Sequence, residues 1–508
     1  MSNKFISIFT SNDSNFTLWK KCKSQTVSSH EQVVFCNRLE NFKKKNNEHK
    51  NRAIVLTPTH LCHVRSSRDL KIKSKMKSDG VIVEYDSSLN NGELSYRIRF
   101  VKNGKYCEFF VRDPNLFSQW KIHLNSIFIQ TDFHSKYEPV KMLGRGSFAC
   151  VYLVNDKETG EELAVKSFTK KNIQEQTRGL ESLRNEITIL KSMRHDNVVK
   201  LRELYETSNS VYFVMELMEG GELSKRLRKK KPISLEGVQN VMRGILKGLE
   251  YCAKNNIVHR DLKPENVMLA KKSSLSECTV KIVDFGLATN STYKKHIFTK
   301  CGTPGFMAPE IFTKTKKDEI SFTPKSDVYS AGLILYYLLT GRPAFKAKSY
   351  KTIIKLNKQA DVFLEHPGLD RMPHVFDLLK RMLEKDPSQR ISAMEALQHN
   401  FFFYRRNSEA LSKTSIKTDP RSSEKNLSAN IGSSTTNLIA KEPMISGVMQ
   451  HNIRDSRESD VGSFQQLLKR RRSFACERDS IYKKVLSRNI RKNIDNDSVR
   501  ESIDLQEV

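Results

Sequence analysis

The sequence has no long apolar run. Its longest, Ala331 to Leu339, is too short to span a bilayer. The amino-terminal stretch MSNKFISIFTSND lacks the apolar core of a secretory signal. There is no CxxC pair, and the nine cysteines are odd in number and irregularly spaced. A disulfide framework or zinc site is therefore not expected, and a reduced, cytoplasmic protein is. No DxDxDG loop occurs, so calcium could act only through a partner.

Length and positive charge are abundant. The 508 residues suffice for two or three domains, and 38% hydrophobic residues can build sizeable cores. The formal net charge of +30 is spread along the chain. No single nucleic-acid-binding tail is predicted, while acidic partners such as anionic lipid are favoured by long-range attraction.

The densest chemistry lies in His259-Arg260-Asp261-Leu262-Lys263-Pro264-Glu265-Asn266, followed by Asp284-Phe285-Gly286 and Ala308-Pro309-Glu310. Asp261 could accept a proton from an alcohol, and Lys263 could hold the phosphate that the alcohol attacks. Asn266 and Asp284 offer a neutral and an anionic oxygen to a hard cation. Mg²⁺ prefers few protein oxygens plus phosphate oxygens, which suits this pair. Here the chain resembles the eukaryotic protein kinase family, whose phosphoryl-transfer parts these are. The resemblance covers Tyr137 to Phe403 and is close to the calcium/calmodulin-dependent branch (GTPGFMAPE, HRDLKPENVML). It implies a bilobal α+β fold, ATP and Mg²⁺ as cofactors, and serine or threonine in protein substrates as acceptor.

Upstream, Leu143-Gly144-Arg145-Gly146-Ser147-Phe148-Ala149-Cys150-Val151 reads as two strands around a glycine turn. Glycine lets backbone amides approach phosphate oxygens. The third glycine of GxGxxG is Ala149 here, which adds one methyl group and is expected to be tolerated. Lys166, in an apolar strand, needs a partner. Glu186 offers one, although it could instead face solvent beside Arg184 or Lys191. The resemblance implies that Lys166 binds the α and β phosphates. It makes Glu216-Leu217-Met218 the adenine-holding hinge and Met215 its gatekeeper, with Val151, Ala164 and Met268 around the ring. It lets Glu222 hold the ribose or, with Glu265, face a substrate arginine, so basic residues before the acceptor are expected. Thr299 resembles an activation-loop phosphosite that Arg260 could receive. Thr303 resembles the threonine bridging Asp261 and Lys263. Glu310 with Arg390, and Asp327, resemble structural anchors.

Residues 1–30 are polar and read as a flexible leader. From 31 to 132, strand candidates at Val33–Phe35, Arg52–Leu56, His60–Arg65, Val81–Tyr85, Tyr96–Val101 and Tyr106–Val111 precede a helix carrying Phe117, Trp120 and Leu124. This pattern resembles the pleckstrin-homology (PH) fold, a β-barrel closed by a C-terminal helix. The resemblance implies that Lys43, Lys44, Lys45 and Lys50 could attract phosphoinositide headgroups and recruit the protein to a membrane surface. The same lysines could simply blunt an edge strand. A kinase domain is expected over 137–404. Residues 405–508 are poor in aromatics and expected to be largely disordered. Within them, 469–492 hold ten basic and two acidic residues. The stretch 461–492 could bind calmodulin as an autoinhibitory helix, Ser473 could be self-phosphorylated, or the run could be a solvated basic tail.

Overall fold

The computed structural model describes residues 7–9, 16–27, 32–43, 48–66, 68–90, 93–146, 149–229, 231–293, 297–298, 301–312, 322–362, 364 and 372–403. Its amino-terminal part is built from two antiparallel meanders. The first contains β1 (Lys20–Thr26), β2 (Phe35–Lys43), β3 (Glu48–Leu56), β4 (His60–Val64) and β5 (Lys71–Lys77), hydrogen-bonded in the order β1-β5-β4-β3-β2. The second contains β6 (Ile82–Asn90), β7 (Glu93–Lys102) and β8 (Lys105–Val111), and β8 joins β2 at Glu40↔Phe110. Helix α1 (Pro114–Asn125) follows. The Asp113 carboxylate starts it by accepting from Asn115 N at 2.8 Å, with proline in the first turn. Its apolar stripe buries Trp120 and Leu124 fully against Leu39, Ile54, Ile98, Phe100 and Phe109.

Two strands depart from expectation. β5 reads Lys-Ile-Lys-Ser-Lys-Met-Lys, and only Ile72 and Met76 are buried. Its apolar signal is too sparse to register as alternation. β1 is almost wholly polar and lies at the sheet edge, where lysine discourages further pairing. The leader expected over 1–30 is therefore partly structured, since it holds β1 and the buried Ser7 and Phe9. The expected barrel is also corrected. The hydrogen-bonded order is open: β1 stands at its end beside β5, β6 runs on to β9, and no pairing between β1 and β6 closes a ring among the described residues.

The sheet instead continues into the next lobe. β9 (Ile129–Gln130) and α2 (Phe133–Lys136) lead to β10 (Tyr137–Arg145), β11 (Cys150–Asp156), β12 (Glu162–Thr169), α3 (Lys170–Gln174), α4 (Gly179–Ser192), β13 (Leu201–Glu206) and β14 (Ser210–Glu216). β9 pairs in parallel with β6 at Ile82↔Ile129 and with β13 at Leu204↔Ile129. Fourteen strands thus share one sheet among the described residues, running on from β6 as β9-β13-β14-β12-β11-β10. The interval between residues 132 and 137 is packed rather than loose. Phe133 is buried and stacks on Tyr212 with ring centroids 4.0 Å apart. Glu203 gathers Asn125 Nδ2 at 3.0 Å, Lys136 Nζ at 2.7 Å, and the hydroxyls of Tyr137 and Tyr205 at 2.6 and 2.7 Å.

The second lobe is mainly helical. β15 (Gly221–Glu222), α5 (Leu223–Arg228), α6 (Leu235–Lys254), β16 (Ile257–Val258), β17 (Val267–Leu269), β18 (Val280–Ile282) and β19 (Thr289–Asn290) precede α7 (Pro324–Thr340), α8 (Tyr350–Gln359), α9 (Pro373–Met382) and α10 (Ala393–Leu397). Helix α7 is buried over Val328–Leu335, which explains its long apolar run. No helix among the described residues is long and apolar enough to cross a membrane.

The amino-terminal sheet carries a pH liability. Burial, then Lys75 and Lys77, lower the pKa of His60 to about 4. Burial, then Arg52 and Lys73, lower that of His63 to about 4. Unfolded histidines take up protons near pH 6.5, whereas these two wait until about 4. Between those values the unfolded chain binds more protons, so stability falls as pH falls through that window. The chain's two tryptophans, Trp19 and Trp120, both belong to this part of the fold. Urea unfolding followed by tryptophan fluorescence should show a lower midpoint at pH 4.5 than at pH 7. The difference should shrink in a His60→Gln, His63→Gln protein, and equal pH sensitivity in both proteins would refute the assignment.

Candidate active site

The cleft side chains come from short strands and turns held by the buried frame. β10 and β11 pair from Tyr137↔Asp156 to Arg145↔Cys150, and Gly146 N donates to Ala149 O at 2.8 Å to narrow the turn. Leu143, Gly144, Arg145 and Gly146 lie on the exposed end of β10, with Ala149, Cys150 and Val151 opposite. Ser147 and Phe148 lie outside the described residues. Strand register aligns Val151 with Lys166 and Ala164 with Met215, while Met268 pairs with Glu222. Val151, Ala164 and Met215 thus come from adjoining strands, and Met268 from the separate sheet of β15, β17 and β18. In the hinge, Met218 is buried, and Glu216 accepts from Lys281 Nζ at 3.0 Å.

Lys166 does have the partner that its half-buried position in an apolar strand demands. Its ammonium donates to Glu186 Oε1 at 2.7 Å and to Asp284 Oδ1 at 2.8 Å. Burial works against the ammonium, but the two carboxylates outweigh it and hold its pKa above the usual lysine range. Lys166 in turn lowers the pKa of Asp284 to about 2. Glu186 is buried, and desolvation raises its pKa. The solvent-facing alternative for Glu186 is thereby excluded.

The catalytic-loop candidates form a second cluster. Asp261 accepts from Thr303 Oγ1 at 2.6 Å and from Lys263 Nζ at 2.7 Å, and Lys263 also donates to Thr303 Oγ1 at 2.7 Å. Asn266 Nδ2 donates to Asp261 O at 2.8 Å. The amide nitrogen of Asn266 is thus committed to protein, which turns the other end of the amide, its oxygen, into the available cation donor. Lys263 and His259 also favour ionised Asp284, so the two clusters act on one another electrostatically. The loop is hung from buried Asp327, which accepts from His259 N at 2.6 Å and Arg260 N at 2.9 Å. Arg260 and Asp284 both have positive φ, 67° and 65°. Such backbone is costly without glycine and persists only where surroundings enforce it.

Arg260 donates to Leu287 O at 2.6 Å and Phe298 O at 2.7 Å. Thr299, the expected phosphosite beyond Phe298, lies outside the described residues. The acids expected to meet a basic substrate already have neighbours. Lys225 Nζ stands 3.3 Å from Glu222, whose other oxygen accepts from Ser224 at 2.7 Å, and Arg228 stands 3.8 Å from Glu265. A substrate arginine would have to displace these cations. Two ties were not anticipated: Asn185 to Ala288 O at 2.8 Å and Arg178 to Ile297 O at 2.7 Å. Both connect α4 and its start to the segment after Asp284. The position of Asn185 beside Glu186 was the only sequence hint. Lys44 and Lys45, the side chain of Lys43, and residues 404–508 with Ser473 lie outside the described residues, whereas Lys50 is exposed.

This geometry agrees with comparisons to known proteins. Residues 137–402 match the protein kinase domain family. The chain is 37% identical over 279 residues to calcium-dependent protein kinase 4 of Plasmodium falciparum, covering 54% of this chain and 51% of that protein. It is 36% identical over 272 residues to calcium-dependent protein kinase 7 of Arabidopsis thaliana, covering 53% and 49%. A probable myosin light chain kinase of Dictyostelium discoideum is 34% identical over 278 residues, 54% of this chain and 77% of that protein. The chain thus spans about half the length of the two calcium-dependent relatives. With the Lys166–Glu186 pair, the Asp261 loop and the family match in agreement, the chain belongs to the protein kinase family.

Proposed function

We propose that this protein transfers the γ-phosphoryl group of ATP to serine and threonine hydroxyls of protein substrates. The carrying observation is the pair of clusters, Lys166–Glu186–Asp284 and Asp261–Lys263–Thr303–Asn266. In this reading Asp261 orients the acceptor hydroxyl and takes its proton. Lys263 and Lys166 neutralise phosphate oxygens, and Glu186 holds Lys166 in place. Asn266 and Asp284 would hold Mg²⁺, which supplies further charge neutralisation on the nucleotide. The protein's share of catalysis is positioning and fixed electrostatics. A scaffold that only resembles a kinase would not need all of these groups in mutual hydrogen-bond contact.

The test is transfer of labelled γ-phosphate to an Arg-Arg-X-Ser peptide and to a tyrosine peptide. Labelling of the serine peptide alone supports the reading, and no transfer to either sinks it. A basic preference would show as a rise in KM for that peptide in a Glu222→Gln, Glu265→Gln protein. Activation through Thr299 phosphorylation is part of the same reading, and full activity in Thr299→Ala would remove it.

The amino-terminal part is read as a strand-and-helix module that shares the PH succession of elements without its closed barrel, and as a peripheral membrane recruiter of a cytoplasmic enzyme. The succession of seven antiparallel strands β2–β8 before a helix with buried Trp120 supports this. Pelleting with phosphoinositide vesicles, lost on changing Lys43, Lys44, Lys45 and Lys50 to alanine, tests it. Calcium control through calmodulin at 461–492 is proposed by analogy with the calcium-dependent relatives. Activity unchanged by Ca²⁺/calmodulin would discard it.

A further inference from the structure

Ser7, Ile8 and Phe9 are lodged against helix α4, which carries Glu186. Ser7 and Phe9 are 5% and 2% exposed. The fully buried carboxylate of Glu206, at the end of β13, accepts from the Ser7 hydroxyl at 2.6 Å and from Ile8 N at 2.7 Å. Lys170 Nζ stands 2.8 Å from the same carboxylate and balances its charge. Arg184 of α4 donates to Phe9 O at 3.1 Å, and its guanidinium lies 5.8 Å from the centroid of the Phe9 ring. Phe9 N donates to Ser7 Oγ at 3.1 Å, closing the segment into a turn.

The opposite wall is the loop between β5 and β6. A Cβ added at Gly80, whose φ is +64°, would come within 2.9 Å of the Cβ and carbonyl oxygen of Phe9. Phe9 also belongs to the apolar core that contains Leu183 and Ile187 of α4. The segment thus wedges between the amino-terminal sheet and the helix on which Lys166 depends. Its recognition is specific: one buried carboxylate reads a backbone N–H and a hydroxyl, and one arginine reads a carbonyl and an aromatic face.

We propose that Ser7–Phe9 is a built-in peptide ligand for a groove formed by α4, β13 and the Gly80 loop, and that its seating holds α4 where Glu186 reaches Lys166. The proposal deepens the kinase reading and rests on it for its catalytic consequence. Ser7 and Phe9 are positioning residues, acting through α4 on the ammonium of Lys166. When the segment leaves, Glu206 loses two donors and Arg184 loses an acceptor. A ligand that binds only one arrangement of α4 shifts the helix toward that arrangement, and the effect on nucleotide binding is the measure of the coupling.

The experiment uses the full chain with Phe9→Ala and, as conservative control, Phe9→Leu. Hydrogen exchange is followed in residues 179–192 and, as reference, in 235–254. Affinity for ATP is measured by equilibrium binding, with KM and kcat on the serine peptide beside it. In Phe9→Ala, exchange should quicken in 179–192 and not in 235–254, and ATP should bind roughly fivefold or more weakly. Phe9→Leu should retain most of the affinity, and a peptide of residues 1–15 added in trans should restore ATP binding to the alanine protein. Unchanged exchange and affinity in Phe9→Ala would overturn the proposal. So would quickened exchange in both regions with no rescue by peptide, because that describes general destabilisation. Exchange and binding need no turnover, so an inactive wild type would sink the kinase reading and leave this result readable.

Discussion

Asp261→Asn should bind ATP as tightly as the wild-type protein and transfer phosphate roughly a thousandfold more slowly, within the range that a general base contributes. The asparagine oxygen can still accept from Thr303 or Lys263, which now reach Asp261 at 2.6 and 2.7 Å, so the loop should keep its shape. What is lost is the negative charge and the capacity to take a proton. The loss should therefore fall on kcat, with KM for ATP nearly unchanged. Lys166→Met provides the contrast. It removes the cation held between Glu186 and Asp284, leaves two carboxylates facing each other, and should weaken ATP binding itself. Activity in Asp261→Asn within threefold of wild type would remove Asp261 from the proton-accepting role.

Arg390→Ala should cost about 3–5 kcal/mol of folding stability, as expected when one partner of a buried ion pair is deleted. Every donor face of this guanidinium is engaged. Two nitrogens bond Glu310 at 2.7 and 2.9 Å, and the backbone oxygens of Lys325, Glu384 and Lys385 accept at 2.9, 2.8 and 3.2 Å. The side chain is fully buried, and its Cζ lies 5.0 Å from the Tyr329 ring centroid. Lysine cannot reproduce this fork, so Arg390→Lys should lose nearly as much as alanine. The double variant Arg390→Met, Glu310→Leu should recover part of the loss, since no buried charge is then left unpaired. Calorimetric unfolding of these variants beside the wild type decides it. A shift in Arg390→Ala no larger than that of an exposed-pair variant such as Lys254→Ala would show that the pair does not hold the lobe.

The catalytic lobe was legible because its chemistry sits in short contiguous strings. Asp261, Lys263 and Asn266 fall within six residues, and their hydrogen-bond network follows from one tight loop. Lys166 and Glu186 were legible as a pair because a lysine in an apolar strand requires an anion. The amino-terminal part was less so. β5 hides its two core residues among four lysines, and β1 has almost no apolar pattern at all. The placement of Ser7–Phe9 could not be read, because the partners Glu206 and Arg184 lie more than a hundred residues away and three residues carry no period. Likewise the pairing of Glu222 with Lys225 depends on the local turn into α5, which sequence spacing alone leaves open.

The two-residue strand β9 has a practical consequence for anyone dissecting this chain. It covers β13 on one side and β6 on the other. A fragment starting at Tyr137 discards it and presents the backbone amides and carbonyls of β13 to solvent, beside Tyr205 and Leu204. Such a bare strand is a template for another copy. The isolated catalytic lobe should therefore self-associate with rising concentration, and the full chain, in which β6 still covers β9, should stay monodisperse for longer.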